Sequence, residues 1–257
     1  SNTDLKIGCM NWNIVKGACL ALLPVAGTLK AQEKPNIVVI LADDLASNEI
    51  SCYGGKNLKT PNIDRIAEEG IRFTNNFASC AMSVPIRASL YTGLYPARHG
   101  SYQNHKISYS DIKSVTYYLP QAGYRVGRAG KTHTVPKSVF NFEKVPGFEE
   151  NCIAVTADYT VDGIRDFMRQ DSPFCLFVCS TLSHAPWTCG NKDEFDADKV
   201  ILPPNCVDNK GTRELFRRLL AEIRALDNQV GDVLKTIEEV GKLDNTLVVF
   251  LGEQGPQ

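Results

Sequence analysis

Continuous apolar runs and helical repeats alternate along the 257 residues. Residues 35–42, 174–180 and 246–251 are predominantly apolar and rich in β-branched or aromatic side chains, the pattern of central parallel strands buried on both faces. A fourth, shorter strand is expected at 124–130 and a fifth at 71–77. Between them lie helical patterns at 61–69, which opens on Pro61 and stops at Gly70, and at 114–122, closed by Gly123. Two amphipathic helices are expected at 158–170 and 215–240. In the second, Leu219, Ile223, Leu226, Val230, Val233, Leu234 and Ile237 recur at helical spacing. Residues 191–208, with Pro203-Pro204, read as a surface loop. Alternation of this kind predicts an α/β fold, a mostly parallel sheet between helices.

Polar residues gather where the strands stop. Asp43-Asp44 follow the first run, Lys131 and His133 the second, His184 the third, and Glu253-Gln254 the last. Open α/β sheets place their sites at those carboxyl ends. Adjacent carboxylates there are costly unless a cation meets them, so Asp43 and Asp44 are candidate oxygen ligands for calcium or magnesium. A helix cap with a solvated acid is the alternative. Lys131 and His133 suit the neutralisation of an anionic oxygen and the handling of a proton. His99 reads as structural.

A further helix opens at Ser83, an expected N-cap, with Pro85 in its first turn, Arg87 returning to the Ser83 face, and Gly93 as its stop. A hydroxyl, a guanidinium and unpaired amides at the positive end of a helix suit a tetrahedral anion. The local physics fits an ordinary capped helix with an exposed Arg equally well.

The net charge is −1, with charged residues at 22% and no long run of one sign, which gives no footing for a nucleic-acid surface. Residues 10–31 have the basic, apolar and small-residue succession of a secretory signal peptide, too short for a stable membrane span, and cleavage before Gln32 is expected. Of nine cysteines, Cys9 and Cys19 would leave with that leader. Cys175 and Cys179, four apart on one strand, read as buried thiols rather than a bridge or a zinc pair.

Ser83-x-Pro85-x-Arg87, with Ala88-Ser89-Leu90-Tyr91-Thr92-Gly93, resembles the signature of the type I sulfatases. The opening residues 35–44, residues 60–70, Gly130-Lys131-x-His133 and His184-x-Pro186 are similar to the same family. The resemblance covers residues 34–257 and implies an alkaline-phosphatase-like α/β sandwich. It implies that a maturase converts Ser83 to formylglycine, whose hydrate is a gem-diol nucleophile for sulfate-ester hydrolysis. Asp43, Asp44, Ser83, Glu253 and Gln254 then become the ligands of Ca2+ or Mg2+. Arg87 and Lys131 hold nucleophile and sulfate, His133 assists breakdown of the sulfated intermediate, and His184 protonates the leaving alcohol. Glu253-Gln254 depart from the family's usual Asp followed by Asn or His, each side chain being a methylene longer. The stretch from Gly130 to Pro136, followed by Phe140-Asn141-Phe142, is similar to sulfamidase-like relatives and points to sulfated glycans of the heparan kind. A periplasmic or secreted bacterial enzyme is implied. Family members continue past a position equivalent to Gln257 into a smaller C-terminal subdomain, so residues 32–257 are expected to be a catalytic domain without it. A phosphatase or phosphodiesterase of the same superfamily using unmodified Ser83, and an inactive fragment, are the competing readings.

Overall fold

The computed structural model describes residues 34–255, so the leader expected at 10–31 lies outside the described residues. In chain order the main elements are β1 (Asn36–Ala42), α1 (Pro61–Glu68), α2 (Ser83–Thr92), α3 (Pro96–His99), α4 (Val115–Gln121), β2 (Arg125–Gly130), β3 (Glu143–Val145), α5 (Asp162–Met168), β4 (Phe174–Cys179), α6 (Lys210–Glu239) and β5 (Thr246–Gly252). The strands form one sheet in the order β3-β2-β4-β1-β5, and every pairing is parallel.

Alternation along each strand builds two cores, one on each face of the sheet. Val38, Ile40, Phe174, Leu176 and Val178 meet Ile223, Leu226 and Val230 of α6. Val39, Leu41, Cys175, Phe177 and Cys179 face Ala88 and Tyr91 of α2, with Phe140 and Phe142. A strand buried on both faces has no reason for polar alternation, which is why β1 and β4 read as unbroken apolar runs. Cys175 and Cys179 are free and buried, as expected, and burial pushes the Cys175 thiol up to about 12.

Register aligns the rim of the sheet. Ala42 pairs with Gly252, Leu41 with Cys179, and Cys179 with Gly130. The ladder runs one step further: Glu253 N donates to Ala42 O at 3.2 Å, Ser180 N to Leu41 O at 2.9 Å, and Lys131 N to Cys179 O at 3.0 Å. Asp43, Lys131, Ser180 and Glu253 therefore leave the sheet at one level. Gly130 permits this: its φ is +81°, and a Cβ there would lie 2.1 Å from Cys179 O.

Several local expectations need correction. Residues 71–77 form no strand. Ile71, Phe73 and Phe77 are 81%, 68% and 85% exposed. The run at 246–251 forms β5 not as a central strand but at the sheet edge, paired only with β1 among the described residues and only partly buried. The helix expected at 158–170 contracts to α5, because Thr160 N donates to Gly147 O at 2.7 Å and holds the preceding chain out of helical conformation. β3 has no signature in the sequence, since three residues show no periodicity. In the other direction α6 begins earlier than expected, at Lys210, where the Asn209 side chain accepts from Thr212 N at 2.9 Å and caps it.

Candidate active site

The rim and the start of α2 converge. Ser83 Oγ lies 2.6 Å from Glu253 Oε2, 3.3 Å from Asp43 Oδ1 and 3.5 Å from Lys131 Nζ, all buried. Lys131 Nζ donates to both oxygens of Asp43, at 2.8 and 2.6 Å. Arg87 is fully buried, not the exposed residue of an ordinary surface helix. Its Nη2 sits 3.5 Å from Asp43 Oδ1, and its Nε is pressed against Glu253 Oε1. These last contacts are ion pairs without hydrogen-bond alignment: Nε, Nη2 and Glu253 Oε1 have no hydrogen-bond partner among the described residues.

Ser83 is the first helical residue, and Met82 takes the N-cap position that was expected of Ser83. The Ser83 hydroxyl is thus free to face the rim instead of capping its own helix. Asn104 does part of the capping, its Oδ1 accepting from Val84 N at 3.1 Å, so one amide expected to be open is taken. Nothing in the sequence marks Asn104 as a cap, because it lies downstream of the helix it serves.

Asp44 has φ +55°, an uncommon backbone state for a residue other than glycine, and it turns its carboxylate toward the other acids. Asp43, Asp44 and Glu253 each offer a carboxylate oxygen within 4.8 Å of one another. Gln254 joins them: its Nε2 donates to Asp44 Oδ1, and its Oε1 is buried with no partner among the described residues. His184 Nε2 lies 3.6 Å from Asp44 Oδ2 at the edge of the cluster. His133 follows Lys131 with φ +46°, and its Nδ1 is buried without a partner among the described residues. Its ring centroid is 5.8 Å from that of His105, a residue with no motif around it in the sequence. His99 is structural, as expected: its Nε2 pairs with Ser89 Oγ at 3.1 Å and its Nδ1 accepts from Ser101 N at 3.1 Å.

Burial sets the charge states, and neighbours correct it. Burial alone would raise Asp43, but Arg87 and Lys131 more than offset it and hold its carboxyl below the usual range. Asp44 is raised, by burial and then by the charge of Asp43. Glu253 is raised by burial and Asp43 against the opposing pull of Arg87 and Lys131. His133 is pushed down to about 4, by burial first and then by Lys131 and Arg87, so its imidazole is neutral at pH 7. Three carboxylates held together against two cations leave an acidic surplus. With the unpaired amide oxygen of Gln254, this all-oxygen donor set fits a hard divalent cation. A cavity of about 480 Å³ opens beside the same strand ends, lined among others by Ala46, Glu49, Trp187, Phe216 and Gly255.

Fold and site together define an α/β protein with a buried hydroxyl clamped between cations and an acidic, cation-seeking cluster at the carboxyl rim of a parallel sheet. The chain belongs to the sulfatase family, whose model matches residues 35–257. It is 34% identical over 233 residues to an ulvan-active sulfatase of Formosa agariphila, covering 87% of this chain and 45% of that protein. It is 28% identical to human N-sulphoglucosamine sulphohydrolase, covering 93% of this chain and 54% of the relative. The chain thus spans about half the length of these curated relatives. The solved structure of BT4656 in complex with its substrate D-glucosamine-2-N,6-O-disulfate superposes with a TM-score of 0.69 at 22% identity, covering 87% of this chain and 66% of that one. At that identity the likeness concerns the fold.

Proposed function

We propose that this chain carries the catalytic site of a sulfuric ester hydrolase that removes sulfate from a glycan, with residue 83 acting as formylglycine. The observation that carries the reading is the environment of Ser83 Oγ, within 3.5 Å of Glu253, Asp43 and Lys131 at a buried sheet rim. An unmodified serine there could accept sulfate but has no ready way to release it. The aldehyde hydrate divides the reaction into two easier steps. One hydroxyl attacks sulfur, the bond from sulfur to the alcohol oxygen breaks, and His184 protonates the departing oxygen. The second hydroxyl then loses its proton with help from His133, and sulfate leaves by cleavage of its bond to carbon 83, restoring the aldehyde. The neutral imidazole of His133 suits that proton transfer. Arg87 and Lys131 hold the nucleophile and neutralise sulfate oxygens.

Asp43, Asp44, Glu253, Gln254 and residue 83 would hold Ca2+ or Mg2+. The bound ion supplies charge that lowers the pKa of the residue-83 hydroxyl and polarises a sulfate oxygen. The longer Glu253 reaches both Ser83 and Arg87 without displacing the strand, so its carboxylate can serve where the family's usual residue is shorter. The relatives named for ulvan and for N-sulphoglucosamine support a sulfated polysaccharide as substrate. The cavity beside Trp187 offers an apolar wall for a sugar ring. A formylglycine-generating maturase is the implied partner, and a periplasmic or secreted location follows from the leader read at 10–31. No helix among the described residues is long and apolar enough to cross a membrane.

Co-expression with a bacterial serine-type maturase tests the reading. The peptide containing Ser83 is expected two hydrogens lighter, and 4-nitrophenyl sulfate is expected to be turned over in preference to 4-nitrophenyl phosphate. Faster phosphate hydrolysis by an unmodified Ser83 would overturn it.

A further inference from the structure

Glu222 lies in the middle of α6 on the face that carries Leu219, Ile223 and Leu226 into the core. A carboxylate on such a face is expensive unless hydrogen-bonded, and Glu222 is 2% exposed and forms no ion pair among the described residues. Its partners are three backbone amides of a single loop. Oε1 accepts from Thr188 N at 2.8 Å and from Cys189 N at 3.1 Å, and Oε2 accepts from Ser183 N at 3.1 Å. The carboxylate therefore ties together both ends of the segment 183–189, which has His184 near its start.

The segment needs such a tie. Ser183 has φ +71°, a state that costs a residue other than glycine of order 1–3 kcal/mol and persists only when its surroundings enforce it. Ser183 Oγ donates to Asp43 O at 2.7 Å, joining the loop to the strand end that bears the acidic cluster. Trp187 Nε1 donates back to Ser183 O at 3.1 Å. His184 emerges from this braced turn with Nε2 3.6 Å from Asp44 Oδ2.

We propose that Glu222 is a positioning residue for His184: from the opposite side of the loop it fixes the turn that aims the imidazole at the leaving-group oxygen. The proposal rests on the sulfatase reading for the role of His184, but the geometry it asserts does not.

Glu222→Gln keeps the size of the side chain and replaces one acceptor oxygen by an amide that must face an N–H donor. Three measurements on the matured full chain decide the matter. A positioning role predicts that the variant loses roughly 10–100-fold in kcat on a sugar or alkyl sulfate, whose leaving alcohol needs a proton, and less than about threefold on 4-nitrophenyl sulfate, whose leaving group does not. It predicts that Glu222→Gln in a His184→Ala background costs almost nothing more on the alkyl ester, because the two changes remove one function. It also predicts faster hydrogen exchange at the amides of Ser183, Thr188 and Cys189, with a changed His184 imidazole signal in NMR. A uniform loss on both esters, or additive losses in the double variant, would overturn the positioning role. Unchanged exchange and an unchanged His184 signal would overturn the geometry itself. If the parent chain hydrolyses neither ester, the function proposed for the site fails, while the exchange and NMR measurements still decide whether Glu222 fixes the His184 turn.

Discussion

Each residue around Ser83 is buried with a partner of opposite charge, and that makes single deletions costly. Arg87→Ala leaves Glu253 and Asp43 facing each other with less positive charge between them, and removing one member of a buried pair typically costs about 3–5 kcal/mol. Urea unfolding of the chain without divalent ions should show a loss of that size. Ser83→Ala removes the proposed nucleophile and is expected to lower kcat on aryl sulfate by roughly 10⁴-fold or more, while the lost hydrogen bond to Glu253 costs only about 1–3 kcal/mol of stability. Glu222 gives a pH signature. Burial, partly offset by its backbone partners, raises its carboxyl from 4.5 to about 7, so the folded chain holds a proton that the unfolded chain releases. Its contribution is present below the unfolded value and is lost as pH rises through the folded one. Glu222→Gln should therefore flatten the decline in unfolding free energy between about pH 5 and pH 8. The acids at strand ends were legible because each follows an apolar run that fixes where it must emerge. Asn104, Ser183 and Glu222 carry no such signal, since their partners are distant in the chain. Glu222 did leave one trace, a charge among the apolar positions of a long helix.

At the level of elements, the sequence showed most of what packs. The runs that became β1 and β4 were readable because both faces are covered, β5 because its apolar run persists although it lies at the sheet edge and is only partly buried, and α6 because its apolar stripe keeps its period over 30 residues. The reading failed where periodicity had no partner to pack against, as at 71–77, or where a tertiary backbone bond overrode local preference, as before α5. Asp227 of α6 shows how two helices are locked. Its carboxylate accepts from Asn62 N at 3.1 Å, from Ile63 N at 3.0 Å and from Asn62 Nδ2 at 3.0 Å, capping α1 from another element. Asp227→Ala should cost about 1–2 kcal/mol, in the range of a lost cap, and should raise hydrogen exchange in the first turn of α1 before the rest of the sheet responds.

For the molecule as a whole, the acidic surplus at the rim should make stability depend on a divalent ion. Calcium at a hundredfold excess over its dissociation constant stabilises a folded chain by about 2.7 kcal/mol, which raises the melting temperature of a domain this size by roughly 5–10 °C. Chelation should reverse the shift, and Asp43→Asn should abolish it. In the proposed reaction the rim and Ser83 act as one site that transfers sulfate from an alcohol to residue 83. Hydrolysis of an alkyl sulfate in ¹⁸O-labelled water, followed by mass analysis of both products, tests it most directly. Attack at sulfur through a hydrated residue 83 places the label in sulfate and leaves the alcohol unlabelled. Label in the alcohol would show that the bond to carbon breaks instead, an outcome that attack on sulfur by residue 83 cannot produce.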